Sequence, residues 1–193
     1  SQSIDRAFNV GILSGATSGS PIFDTGGGLA PGFDEVRSKN FATISASLAD
    51  FSAKKDISNK VQVKMDTDSV IISLSDNLLF DSGSAELRPG SQDVLLAVAN
   101  QIRDLPNPLR IEGHTDNVPV NHPDFATNWE LSSARASTVL RFLNEEAGIP
   151  VSRLRAAFFA DTQPIASNDT AEGRALNRRG DIVIIYPPQE DLE

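Results

Sequence analysis

The sequence contains no cysteine, which rules out disulfides, thiolate zinc sites and cysteine nucleophiles. That absence fits a cytoplasmic or a periplasmic protein, so it leaves the compartment open. Basic residues are also short, with 17 Lys and Arg against 26 Asp and Glu, a net charge of -9. Nucleic-acid affinity rests mainly on Lys and Arg against phosphate, so neither a nucleic-acid partner nor adsorption to an anionic membrane is expected. No apolar run approaches the roughly 18 residues of a spanning helix. The opening SQSIDRAFNV lacks the basic and apolar regions of a signal peptide. The chain reads as a soluble protein, or as the soluble part of something longer.

What remains is 193 residues with 39% hydrophobic content, enough for one good core and an extra arm. Residues 11–32, GILSGATSGSPIFDTGGGLAPG, are rich in Gly, Ser and Pro and lack periodicity, as a flexible linker does. At and before the start of this stretch, Ile4, Phe8, Ile12 and Leu13 are spaced roughly as on a helix, either a frayed terminus or an amphipathic plug. Residues 1–33 are therefore expected to form an arm. Within 34–58, Phe41, Ile44, Leu48 and Phe51 mark one stripe of a helix of about 18 residues, with Asp34 as its N-cap. That amphipathic helix would pack on the domain after it or on a partner helix.

Residues 59–193 carry the order ββαβαβ(α)β, which predicts a single α+β domain with helices on one face of a mixed sheet. Val61, Val63 and Met65 alternate with polar residues, as do Val70, Ile72 and Leu74, and Asp66–Ser69 between them reads as a hairpin turn. Val94, Leu95, Val98, Ile102 and Leu105 mark a helix, and Leu109–Glu112 a strand that delivers GHTD at its end. Thr127 and Glu130 have the T-x-x-E form of a capping box, opening a helix with Leu131, Ala134, Thr138 and Phe142 inward. Strands follow at Leu154–Ala160 and Asp181–Tyr186, with a short helix near Thr170–Leu176.

The stretch IEGHTDNVPV, residues 111–120, concentrates candidate chemistry. His114, Asp116 and His122 offer three metal donors, but they lack the regular spacing of a metal motif, and no metal or cofactor is expected. A Ser/His/Asp hydrolase is disfavoured because no G-x-S-x-G elbow is present, and His114 and Asp116 would share one face of a strand end without forming a relay. Glu112 with Asp116 is a weak match to a glycosidase carboxylate pair. His114 is expected to brace the loop. Asp116 is different, because Arg135 lies at the edge of the inner stripe of the next helix. The two either form an ordinary salt bridge or hold a zwitterionic ligand end, Asp116 accepting from an ammonium and Arg135 clamping a carboxylate.

Three motifs, GHTDN at 113–117, NWELSSARA at 128–136 and GRALNRR at 173–179, together with the lead-in LLFDSGSAELRPGS, resemble the OmpA-like peptidoglycan-binding domain. The match spans about residues 70–186. The resemblance implies a periplasmic, non-enzymatic module that binds the diaminopimelate of the peptidoglycan stem peptide. By motif, Asp116 is similar to the family's amine-binding Asp and Arg135 to its carboxylate-binding Arg. Thr115 and Asn128 resemble supporting positions, and Asn177 and Arg178 match the NRR element, as ligand contacts or as braces. The long loop Val118–Phe125 is similar to that of the flagellar motor stator subunits MotB and PomB. That branch implies a homodimer, a MotA- or PomA-like ion-channel partner and an inner-membrane helix preceding this region. A different stator-like complex or a Pal-like envelope tether is the alternative.

Overall fold

The computed structural model describes residues 32–186. The Gly- and Ser-rich arm, and the spacing at Ile4, Phe8, Ile12 and Leu13, lie outside the described residues. The elements are α1 (Phe33–Lys54), β1 (Val61–Met65), β2 (Ser69–Ser75), α2 (Asp76–Leu79) and α3 (Ser91–Ile102). They continue with β3 (Leu109–His114), α4 (Asn128–Glu145), β4 (Leu154–Ala160), α5 (Ala171–Asn177) and β5 (Arg179–Ile185). The strands form one mixed sheet in the order β1-β2-β5-β3-β4. β3 and β4 are parallel, joined through α4, and every other pairing is antiparallel. The α+β expectation holds.

Strand alternation sorts residues onto two unlike faces. Val70, Ile72 and Leu74 of β2, Leu109 and Ile111 of β3, and Ile182 and Ile184 of β5 point into one core. Helical residues close it, including Leu48 of α1, Leu95 and Ile102 of α3, and Leu143 of α4. Intervening positions such as Ser73, Glu112, His114 and Asp181 belong to the opposite face, which is polar although those residues are buried.

α1 begins two residues earlier than the expected cap implies. Gly32, not Asp34, is the N-cap, and it makes no side-chain cap hydrogen bond. Asp34 instead sits in the first turn, where a carboxylate faces the positive end of the helix dipole, and it pairs with Arg37 at 2.9 Å. Ile44 and Leu48 are buried in the common core, with Phe41 and Phe51 partly buried against it. The stripe therefore packs on the domain itself. Leu48→Ala is expected to lower unfolding free energy by about 2–5 kcal/mol. A helix merely tethered to the domain would show a loss well under about 1 kcal/mol in the same urea titration.

α4 opens with the expected capping box, Thr127 and Glu130 satisfying each other's backbone N–H groups. Its inward stripe is rotated from the expected one. Leu131, Ser132, Arg135, Ala136, Val139, Phe142 and Leu143 are buried, while Ala134 and Thr138 are only half-buried. Arg135 thus stands inside the buried stripe, not at its edge.

Candidate functional site

β3 carries the chain to its decisive corner. Its pairing with β4 shifts register between Gly113 and His114, and Thr115 N then donates to Ala160 O at 2.8 Å. His114 stays with the polar face, its Nε2 3.0 Å from Glu112 Oε2, whereas Thr115 and Asp116 enter a separate cavity. The expected shared face of His114 and Asp116 is therefore corrected, because the strand ends between them. The same geometry separates Glu112 from Asp116 and dissolves the His114–Asp116–His122 metal set. His122 lies instead in the loop, 3.6 Å from Asp124.

The cavity holds about 520 Å³. Asp116 stands on one wall, and Leu131 and Arg135 of α4 form another. Arg174 and Arg178 approach from α5 and the residue after it, and the α2 side adds Asp76 and Phe80. The rims are the loops at Ser82–Gly83 and Val118–Asn121. Gly83, at φ +70°, lies close to His122, so the two rims meet there.

Each ionic residue has a partner other than the one its spacing suggests. Asp116 Oδ2 accepts from Arg178 Nη1 at 2.5 Å, while Oδ1 accepts from Val118 N at 3.0 Å and fixes the turn. Arg135 pairs instead with Asp76, Nη1 to Oδ1 at 2.7 Å. That oxygen lies off the N–H direction, so the contact is an ion pair more than a hydrogen bond. Arg135 also donates from Nε to Ser84 O at 2.7 Å and from Nη2 to Asp81 O at 3.1 Å. Its guanidinium carbon lies 5.0 Å from the centroid of the Phe80 ring. Asp116 and Arg135 do share the cavity, but they are not each other's salt bridge.

The supporting residues divide clearly. Asn128 accepts from Val120 N at 3.0 Å and donates to Val118 O at 2.9 Å and Asp116 O at 3.3 Å, stapling the rim loop. Buried Thr115 donates to Asp116 O at 2.8 Å. Asn177 is fully buried and does not line the cavity. Its side chain accepts from Ile165 N and Ala166 N and donates to Ala166 O and Asn168 Oδ1. The structure assigns Asn177 to bracing the 165–168 loop and leaves Arg178 as the NRR residue in the cavity.

With this arrangement in view, the comparisons with known proteins fall into place. Residues 79–178 match the OmpA family, a span that holds every charged cavity residue except Asp76.

The chain belongs to the OmpA family.

Motility protein B of Bacillus subtilis (strain 168) is 33% identical over 147 residues, covering 74% of this chain and 55% of the relative. The chain thus spans about half the length of the curated relatives it matches. The cell wall anchor of the T6SS from Pseudomonas aeruginosa superposes with a TM-score of 0.65 at 35% identity, covering 72% of this chain and 97% of that one. The periplasmic domain of Helicobacter pylori MotB superposes with a TM-score of 0.62 at 26% identity, covering 67% and 82%.

Two cavity residues of this OmpA-family domain escape a motif-based reading. Asp76 falls between the alternation at Val70–Leu74 and the lead-in motif that starts at Leu78, and its only signal is an acid directly after a strand. Arg174 lies inside GRALNRR, four residues before Arg178, a spacing that places both on one side of a helical turn.

Burial pushes the Asp76 carboxyl above its ordinary 3.8, against the opposing pull of Arg135. Burial likewise lowers Arg135, with Asp76 opposing. On the polar face, burial also pushes Glu112 up, but hydrogen bonds from His114 and Arg110 outweigh it and hold the carboxyl below 4.5. The two acids act on stability with opposite signs. Asp76 favours the fold most below about pH 3.8 and loses that contribution as pH rises through its raised folded value. Glu112 contributes fully above about pH 4.5 and loses its contribution as pH falls through its depressed folded value. Glu112→Gln is therefore expected to be less stable than the native chain at pH 7. Urea titrations between pH 7 and 3 should show that gap closing in acid; a gap independent of pH refutes the assignment.

Proposed function

We propose that this chain is a non-catalytic peptidoglycan-binding domain that takes the diaminopimelate of the stem peptide and anchors an ion-driven flagellar motor stator to the cell wall. One observation carries the reading: Asp116 and Arg135 open onto one cavity lined by two carboxylates and three guanidinium groups. The free end of diaminopimelate bears an ammonium and a carboxylate on one carbon, which such a cavity complements. Asp116 accepts from the ammonium. Arg135 faces the carboxylate with N–H groups that its three protein contacts leave unspent, since a guanidinium carries five. Arg178, whose side chain is 40% exposed, can turn from Asp116 toward the same carboxylate. Thr115 and Asn128 shape the wall and rim.

Both cavity carboxylates are paired with arginines, Asp76 with Arg135 and Asp116 with Arg178, which suits them to holding charge more than to accepting a proton. The location that fits is the periplasm. No helix among the described residues is long and apolar enough to cross a membrane, so a stator role requires a spanning helix elsewhere in a longer protein. The same role entails a homodimer and a MotA- or PomA-like channel subunit. A second reading, a wall anchor of another envelope machine, is favoured by the 35% identity to the cell wall anchor of the T6SS. A Pal-like tether is a further variant of it. The residues preceding Ser1 discriminate: a spanning helix with an intramembrane Asp supports the stator, and a lipidation Cys the tether.

The test is co-sedimentation with purified diaminopimelate-type peptidoglycan, with soluble muropeptides monitored over time. Retention without released fragments is expected. Fragment release, or no retention, overturns the proposal.

A further inference from the structure

The cavity leaves the polar face of the sheet unexplained, and that face holds a cluster of buried ionisable groups, Glu112, His114, Arg179 and Asp181. Glu112 and His114 alternate onto it from β3, and Asp181 is the cross-strand partner of Glu112 on β5. Side-chain exposures are 11% for Glu112, 2% for His114 and 9% for Asp181. Their donor atoms converge. His114 Nε2 lies 3.0 Å from Glu112 Oε2 and 3.6 Å from Asp181 Oδ2, and all three atoms fall within 4.8 Å of one another. A separate cavity of about 470 Å³ opens onto the three residues.

We propose that Glu112, His114 and Asp181 form a binding site for a divalent transition-metal ion, with Zn²⁺ the best fit. Metal–donor bonds of about 2.0–2.2 Å in a tetrahedron place neighbouring donors roughly 3.4 Å apart. The two distances from His114, 3.0 and 3.6 Å, bracket that value, and the Glu112–Asp181 pair, within 4.8 Å, must close toward it as the ion binds. One imidazole and two carboxylates select Zn²⁺ or Co²⁺ over Ca²⁺, which takes six to eight oxygens. The cavity that all three residues line leaves room for water or a ligand atom as a fourth donor.

The outer contacts orient the donors. Arg110 Nε holds the other oxygen of Glu112 at 2.6 Å, and Ser73 Oγ donates to the other oxygen of Asp181 at 2.6 Å. Arg179 Nε donates to Asp181 Oδ2 at 3.0 Å and competes with the ion for that atom. His114 Nε2 donates to Glu112 in the metal-free protein, and because Nδ1 has no partner among the described residues, metal binding can displace the Nε2 proton and leave the ring protonated at Nδ1. The ring stacks on Phe159, with centroids 5.1 Å apart, which fixes its plane.

The experiment titrates the full chain with Zn²⁺, Co²⁺ and Ca²⁺ by calorimetry, with thermal unfolding in parallel. One equivalent of Zn²⁺ or Co²⁺ is expected to bind and raise the melting temperature, and excess Ca²⁺ should not compete. Binding should persist in His122→Gln and fall at least tenfold in His114→Gln and in Asp181→Asn. With only two histidines in the chain, imidazole resonances supply a test that needs no variant: Zn²⁺ should shift those of His114 and spare those of His122. No stoichiometric binding, Zn²⁺ uptake unaffected by both substitutions, or shifts confined to His122 would each overturn the site.

Discussion

Asp116→Asn is expected to weaken retention on diaminopimelate-type peptidoglycan by roughly ten- to a hundredfold while leaving the fold intact. The substitution keeps an oxygen for the Val118 N–H, so the turn that shapes the rim survives. What it removes is the charge. A hydrogen bond to a charged group contributes about 1.5–3 kcal/mol, and 1.4 kcal/mol is one decade of affinity. The ion pair with Arg178 is lost as well, but Arg178 is substantially exposed, so its stability cost is small. Binding isotherms on sedimented sacculi, with melting temperature as the control, read the two effects separately. Native-level retention by a folded Asp116→Asn protein would remove Asp116 from the site.

Arg135 demands a different design. Truncation to Ala would strand buried Asp76 without its cation and open the contacts to Ser84 O and Asp81 O, which costs on the order of 3–5 kcal/mol. Loss of binding in Arg135→Ala would therefore report a damaged fold as much as a missing clamp. Asp116 is the cleaner probe because its neighbours remain satisfied without its charge.

Gly113→Ala is expected to destabilise the domain by about 3 kcal/mol or more, beyond the usual penalty of an added methyl in a well-filled core. A Cβ at Gly113 would lie 2.2 Å from Ser132 O and 2.9 Å from Ser132 C, backbone atoms of α4 that no side-chain rotation can move aside. β3 and α4 would have to separate. At this chain length the melting temperature should fall by roughly 6–12 °C. Because β3 leads to Asp116 and α4 carries Arg135, the separation should also weaken wall retention. A melting temperature within about 2 °C of the native chain would refute the close approach. The glycine of GHTDN is thus a spacer between two elements, while Asp116, three residues on, lines the cavity.

Much of the architecture was legible because it is written in short-range patterns. Alternation at Val61–Met65 and Val70–Leu74 marks the hairpin, and the T-x-x-E signal marks the start of α4. Helix phase was less secure. Small and hydroxylated residues such as Ala134 and Thr138 fit either side of a helix, and a buried Arg135 looks like an edge residue until its partners are known. The candidate site followed the same division. Asp116, Arg135 and Arg178 stand out by residue type and motif, but Asp76 does not, because its importance comes entirely from lying against Arg135, 59 residues later in the chain.

Local order thus sufficed for the α+β class, the element sequence and the shortlist of charged residues, since periodicity and capping act within a few neighbouring positions. Partnership did not follow from it. The pairing of Asp116 with Arg178 and of Arg135 with Asp76, and the meeting of Glu112, His114 and Asp181, depend on β5 entering between β2 and β3. Strand order and register are settled by which apolar faces bury one another across the whole chain, and that long-range packing is what turns a list of ionisable residues into two distinct clusters on opposite sides of one strand end.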